Sequence, residues 1–402
     1  MAGSEHGGTR VVWDDAFTAH DFGPGHPMSP VRLALTASLA RDLGLFDAPG
    51  VTVAGAAVAP DELVTTVHDA AYVAAVRRVS ADPRRGVDDD ALAHGLGTED
   101  DPAFAGMHES AARILGASVD SARALWSGEA LHAVNVTGGL HHAMRDRASG
   151  FCIYNDVAAA IEDLLRSGAR RVAYVDVDVH HGDGVQAAFW DDPRVLTVSV
   201  HESGHTLFPG TGWPEDVGGP GAEGTAVNTA LPAGTGDPGW LRAVHAVVHP
   251  LVRAFAPDVL VTQHGCDTHL LDPLAHLAVT VDAQRAAAAS LHDLAHEVCG
   301  GRWLATGGGG YELVDVVPRA WAHLIGIAAH APVPPSTPVP ASWVEHVAHV
   351  IGRTVPPRMT DGADPWWQPW EAGYDPGDAV DRAVLATRRA VFPHHGLDPW
   401  FD

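Results

Sequence analysis

Five side chains able to bind a metal or move a proton fall within eight residues of this 402-residue chain: Asp176, Asp178, His180, His181 and Asp183. They follow a valine-rich run, residues 172–179, whose composition predicts a buried strand, and they end in Gly182-Asp183-Gly184, which signals a turn. On an extended backbone Asp176, Asp178 and His180 share one face. Isolated buried charge costs several kcal/mol, so such acids need a cation or tight hydrogen-bonding partners. The competing reading, a solvated edge strand, does not suit the apolar flanks.

A catalytic divalent ion commonly takes three protein ligands and keeps a position open for water. Asp178 and His180 supply two, and Asp267, alone at the end of another predicted strand, supplies the third. On its own Asp267 reads equally well as a helix N-cap. Mixed carboxylate and imidazole ligation suits zinc and also ferrous iron. The adjacent histidines His141 and His142 are then free for proton transfer, and the remaining carboxylates Asp176 and Asp183 can orient an imidazole each. Tyr311, after four glycines, offers a hydroxyl to an oxyanion formed when metal-activated water attacks a carbonyl.

These groups need a scaffold that gathers strand ends. Predicted strands at 11–14, 131–136, 172–179, 195–201, 258–262 and 302–306 alternate with predicted helices at 31–43, 107–127, 240–255 and 283–298. That alternation indicates an α/β fold with a parallel sheet covered on both faces. Ligands bind such sheets at the carboxyl ends of the strands, so the separate landmarks should meet in one crevice. Residues 87–102 read as an acidic loop, and 204–224 as a long glycine- and proline-rich loop. Beyond residue 331 the chain turns rich in Pro and Trp, with one helix expected at 376–391; we read it as an irregular extension packed on a catalytic domain spanning 1–330.

Lys plus Arg number 25 against 50 Asp plus Glu, a net charge of −25 that disfavours nucleic acid and anionic membranes as partners. Three widely spaced cysteines form no Cys-x-x-Cys pair, and no apolar run reaches membrane-spanning length, so a cytoplasmic protein is expected.

The motifs GGLHHA (138–143), SGFC (149–152), VDVDVHHGDGV (175–185), FPGTG (208–212), GCDTH (265–269) and GGGGY (307–311) together resemble the histone deacetylase superfamily over residues 10–330. ASGFCIYND, CDTHLLDPLAHL and the terminal RRAVFPHHGLDPW resemble its bacterial acetoin-utilisation branch, the AcuC type. The resemblance implies an arginase/deacetylase-like single domain with an eight-stranded parallel sheet. It also implies hydrolysis of the acetyl amide of N-epsilon-acetyl-lysine in proteins, an acyl-CoA synthetase being one such protein substrate. It assigns the metal to Asp178, His180 and Asp267, pairs His141 with Asp176 and His142 with Asp183, makes His142 the main general base and acid, and makes Tyr311 the oxyanion donor. Phe151 and Phe208 become the walls of a lysine tunnel lined also by Gly150 and Leu274. Asp100 becomes a rim clamp for the substrate backbone, where its residue context alone offers one more solvated acid. Arg32, by itself an ordinary solvated helix residue, becomes the floor of an acetate-release cavity. Potassium is carried onto Asp176, Asp178, His180, Ser199 and Val200. Thr137 and Leu207 depart from the common pattern without removing a catalytic group. The rival enzyme is an acetylpolyamine or other small-molecule acetyl-amide hydrolase on the same fold. A ureohydrolase would need further carboxylates where the chain has Gly265 and Cys266.

Overall fold

A computed structural model describes residues 7–402. Eight parallel strands form one sheet: β1 (Thr9–Val12), β2 (Val51–Ala54), β3 (His132–Asn135), β4 (Val172–Asp176), β5 (Val195–Glu202), β6 (Ala226–Leu231), β7 (Val259–Gln263) and β8 (Trp303–Thr306), in the order β2-β1-β3-β8-β7-β4-β5-β6. Alternate residues of the central strands feed two different cores. Ala173, Val175, Leu196, Val198 and Leu260 pack with the helices of one face, including Val281–Cys299 and Val317–Ala328. Val172, Tyr174, Val195, Val259 and Val261 pack against Met107–Ser127 and Asp156–Arg166. Period-two alternation between two apolar faces is what a parallel sheet buried on both sides requires.

The four strands that deliver the landmark residues, β3, β8, β7 and β4, are consecutive neighbours at the centre of the sheet. Their carboxyl ends therefore open on one place.

Several boundaries differ from expectation. β4 stops at Asp176, short of Val179. The Asp176 carboxylate accepts from the Asp178 N–H (3.1 Å) and the Asp178 carboxylate from the His180 N–H (2.9 Å). These side chains bend the backbone out of the strand, so two successive Asx turns, rather than one extended face, present the cluster. Strands β2 and β6, at the edges, are additions to the predicted set. The acidic loop contains a short helix, Asp89–Ala93, capped by the Asp88 carboxylate accepting from Ala91 N–H.

The helix expected at 240–255 begins at Asp237, and Val244–Val248 widens to π geometry before Pro250. Proline has no N–H to give the carbonyl four residues back, and Arg388 fills that vacancy by donating to Ala246 O.

The C-terminal stretch is less irregular than its composition suggests. Besides Ala379–Val391 it forms Ala341–Val350, whose buried Trp343 donates its indole N–H to Leu35 O at 3.0 Å. Buried Arg242 donates to Asp381 (3.0 Å) and to three carbonyls of residues 368–373. Among the described residues no helix is long and apolar enough to cross a membrane.

Candidate metal centre and active site

The turn after β4 carries Asp178 and His180, and the turn after β7 carries Asp267; all three are buried. Their ligand atoms lie within 4.8 Å of one another, with His180 Nδ1 at 3.1 Å from both Asp178 Oδ1 and Asp267 Oδ2. The remaining carboxylate oxygens are held: Asp178 Oδ2 accepts from Gln263 Nε2 (2.7 Å) and Gly309 N–H (2.9 Å), and Asp267 Oδ1 from Val179 N–H (3.0 Å).

Among the described residues no lysine or arginine bonds to either carboxylate, so the trio must take up a positive species. Without a cation that species is a proton. Burial would lower His180, but hydrogen bonding to Asp178 and Asp267 pushes it up to about 10. Burial and the Asp178 charge push Asp267 up to about 6, while Asp178, despite its burial, is held low mainly by the His141 charge. Two fully buried carboxylates and one imidazole converging on a shared proton fit a divalent ion in its place.

Beside the trio stand His141 and His142, on the turn after β3. His141 Nδ1 meets Asp176 Oδ2 and His142 Nδ1 meets Asp183 Oδ1, each at 2.7 Å, and the two Nε2 atoms are 3.1 Å apart. Burial opposes a charge on His141, but the Asp176 and Asp178 charges outweigh it and push its pKa up to about 9. A bound cation would cancel part of the Asp178 pull. Burial and the neighbouring His141 charge bring His142 down to about 4, against the attraction of Asp183. His142 is therefore a neutral base beside a charged partner. His181, fifth of the original cluster, turns away to Thr211 (2.8 Å) and Gln186 (3.1 Å).

Tyr311 follows β8. Burial and the nearby Asp267 and Asp178 charges hold its phenol well above the usual range, so it remains an O–H donor. The Phe151 ring meets it edge-on at 5.7 Å, and the Phe208 ring meets His142 at 5.0 Å. Phe208 is 46% exposed, placing one aromatic wall at the mouth. Leu274 is half-buried in the loop after Asp272, whose carboxylate accepts from its N–H.

Gly150 has φ +58°, and a Cβ there would sit 2.4 Å from His142 Cδ2. Asp100 Oδ2 accepts from the Gly150 N–H at 2.7 Å. One oxygen of the expected rim clamp thus holds Gly150, itself an expected tunnel residue. Its neighbour Asp101, in the same acidic stretch, is only 1% exposed, and burial followed by the Asp100 charge raises its pKa well above normal.

Arg32 is 3% exposed, which overturns its reading as a solvated helix residue. It donates to Gly308 O (2.8 Å) and Gly310 O (3.2 Å) and lies beside Met28. Met28, His142, Cys152 and Tyr311 are among the residues lining a small pocket that reaches Asp178 and His180, and Arg32 adjoins it through Met28 and Gly308. Ser199 stands in register with Asp176 across β4 and β5, its hydroxyl 2.9 Å from His201 Nδ1, and Val200 follows it.

Three further residues of the site carry no signal in the sequence. Gln263 grips Asp178; Tyr174 donates to Asp176 Oδ2 at 2.6 Å; and Asp272 accepts from the Tyr311 N–H at 2.8 Å. Burial and the Asp267 charge push Asp272 up to about 7. Gln263 and Tyr174 lie on the strands that lead to the ligands, and only the fold shows their direction.

The model of the histone deacetylase domain matches residues 26–328, most of the chain. The chain belongs to the histone deacetylase family. Within that family it is of the AcuC type. It is 39% identical over 353 residues to the acetoin utilization protein AcuC of Bacillus subtilis (strain 168), covering 88% of this chain and 90% of that one. It is 35% identical over 355 residues to AcuC of Staphylococcus aureus (strain MRSA252) and 34% over 355 to AcuC of Staphylococcus xylosus, with the same shares covered. A deacetylase of the hydrolase class is thereby established. Gly265, where the ureohydrolase reading would need a further carboxylate, packs so closely on Asp178 that a Cβ would lie 1.8 Å from its Oδ2.

Proposed function

We propose that this deacetylase hydrolyses the acetyl amide of N-epsilon-acetyl-lysine in proteins, releasing acetate. The observation that carries the reading is the contact between two buried His–Asp pairs and the Asp178, His180 and Asp267 trio, reached past Phe151 and Phe208. Zinc or ferrous iron held by the trio would supply Lewis acidity to the carbonyl and acidify water.

Phe151 and Phe208 flank the apolar stem of the lysine side chain. His142, neutral and oriented through Nδ1 by Asp183, takes the proton of the attacking water at Nε2. His141 keeps its charge beside it and favours the negative oxygen that develops. Tyr311 donates its hydroxyl to that oxygen. As the carbon–nitrogen bond breaks, His142 returns its proton to the lysine amine, leaving acetate and the free amine. The contacts of Arg32 with Met28 and Gly308, which line the small pocket beside Asp178 and His180, support an exit for acetate on that side. The register of Ser199 with Asp176 supports a potassium ion held among Asp176, Asp178, His180, Ser199 and Val200.

The test is full-length protein reconstituted with zinc or ferrous iron and assayed on acetyl-lysine peptides and on acetylated polyamines. Higher kcat/KM on the peptides is expected. Turnover of the polyamines alone would assign the chain to small-molecule amide hydrolysis.

A further inference from the structure

At the opposite end of the sheet four imidazoles from separate parts of the chain meet. His132 is the first residue of β3, His292 and His296 are one turn apart on Val281–Cys299, and His330 follows Val317–Ala328. One ring nitrogen from each lies within 4.8 Å of the others. His132 Nε2 and His296 Nε2 are 3.1 Å apart, and His296 Nε2 and His292 Nε2 are 3.2 Å apart. The catalytic residues all leave from the carboxyl ends of the strands, so this cluster is separate from them.

The placement of protons shows why the arrangement wants a cation. His132 Nδ1 donates to Ala328 O at 2.9 Å, which leaves the Nε2 of a neutral ring as a bare lone pair. His292 Nδ1 faces Asp293 Oδ1 at 3.4 Å, which favours the same tautomer there. His296 Nε2 stands between these two lone pairs and can donate one hydrogen to one of them. The other lone pair is then left without a hydrogen to accept. One proton cannot satisfy both contacts.

A divalent ion can. Tetrahedral ligation at metal–nitrogen distances of about 2.0–2.1 Å spaces the donors by about 3.3 Å, close to the His132–His296 and His296–His292 separations. The hydrogen bond from His132 Nδ1 to a main-chain carbonyl is the support that metal-binding imidazoles usually have. His330 adopts φ +52°, an uncommon conformation for a side chain, and its ring lies 4.7 Å from His132 and 5.1 Å from His292. Trp303 closes the inner side against His132 and His292. His296 is exposed, leaving a path from solvent.

We propose that His132, His292, His296 and His330 bind a second transition-metal ion, of the borderline class that includes zinc and cobalt, as a structural clasp. All-nitrogen ligation selects that class over magnesium or calcium. The clasp would join β3 to a helix 164 residues away in sequence and to the turn after the next helix. Cross-links that close long loops stabilise most, and a ligand bound only by the folded state raises its stability.

Full-length protein stripped by chelation, recharged with excess Zn²⁺ and desalted should carry two zinc ions per chain by elemental analysis. Asp267→Asn should carry one, and the double variant His292→Gln/His296→Gln should carry one while keeping its peptide deacetylase activity and showing a smaller zinc-dependent rise in urea midpoint than wild type. An undiminished zinc content in the double variant overturns the clasp, including the case where both ions belong to the catalytic centre. Should the double variant fail to fold, Co²⁺ titration of Asp267→Asn, whose four histidines are intact, decides. A visible band saturating at one equivalent supports the clasp, and no bound cobalt overturns it.

Discussion

Asp100 shows how a residue can stand out in the sequence for one reason and serve in the structure for another as well. Its carboxylate accepts from Gly150 N–H, and Gly150 in turn packs on His142 so closely that a Cβ would lie 2.4 Å from the ring. Asp100→Ala removes both this brace and any grip on a substrate backbone, so it should impair a small acetyl-lysine analogue as well as a peptide. Asp100→Asn keeps a carbonyl acceptor for Gly150 and loses only the charge. It should lower kcat/KM on peptides by about one to two powers of ten and spare the analogue. Exposed Glu99→Ala is the control, because Asp101 is buried against Asp100. Equal effects of Asp100→Asn on both substrates would exclude the clamp. The acids and imidazoles of the centre are legible in the sequence because VDVDVHHGDG sets them so densely against apolar neighbours that only metal or proton chemistry repays their burial. Gln263 and Tyr174 are not, since a glutamine or tyrosine at a strand end is ordinary until its direction is known.

At the scale of elements, the central strands announce themselves by valine-rich runs ending in glycine. Their ends are less visible: Asp176 and Asp178 stop β4 by hydrogen bonding to the backbone two residues on, which hydrophobic patterning does not register. The edge strand β2 and the helix Ala341–Val350 are hidden for the opposite reason, because most of their residues face solvent and prolines lie nearby. That helix is anchored by two fully buried side chains, Trp343 and Val347. Trp343 is fully buried against the helix Val31–Asp42 and donates to Leu35 O. Trp343→Ala should cost about 3–5 kcal/mol in urea unfolding, with little change in KM for peptides. A loss below about 1 kcal/mol would mean that the helix is not firmly docked.

Across the whole molecule the Pro- and Trp-rich stretch is tied to the sheet helices by ion pairs with buried His269 and Arg319. Asp361 joins His269 (2.9 Å), Arg319 and the Val281 N–H (2.8 Å). Burial would raise its pKa, but the His269 hydrogen bond and the Arg319 charge hold it well below the usual carboxylate range. A depressed folded value contributes stability that is fully present above the unfolded pKa of about 3.9 and is lost as pH falls through the folded value. The Tm gap between wild type and Asp361→Asn should accordingly be largest at neutral pH and narrow below about pH 4. A gap independent of pH would assign the loss to packing.

In the proposed mechanism His142 moves the proton in an amide hydrolysis centred on Asp178, His180 and Asp267, and the roles proposed for its neighbours depend on that one. Acetate release from an acetyl-lysine peptide by metal-reconstituted wild type and His142→Ala, with metal content measured on the same samples, tests it most directly. Equal metal is expected, with a kcat lower by about 10²–10⁴-fold in His142→Ala. Turnover within a few-fold of wild type at equal metal content would contradict it.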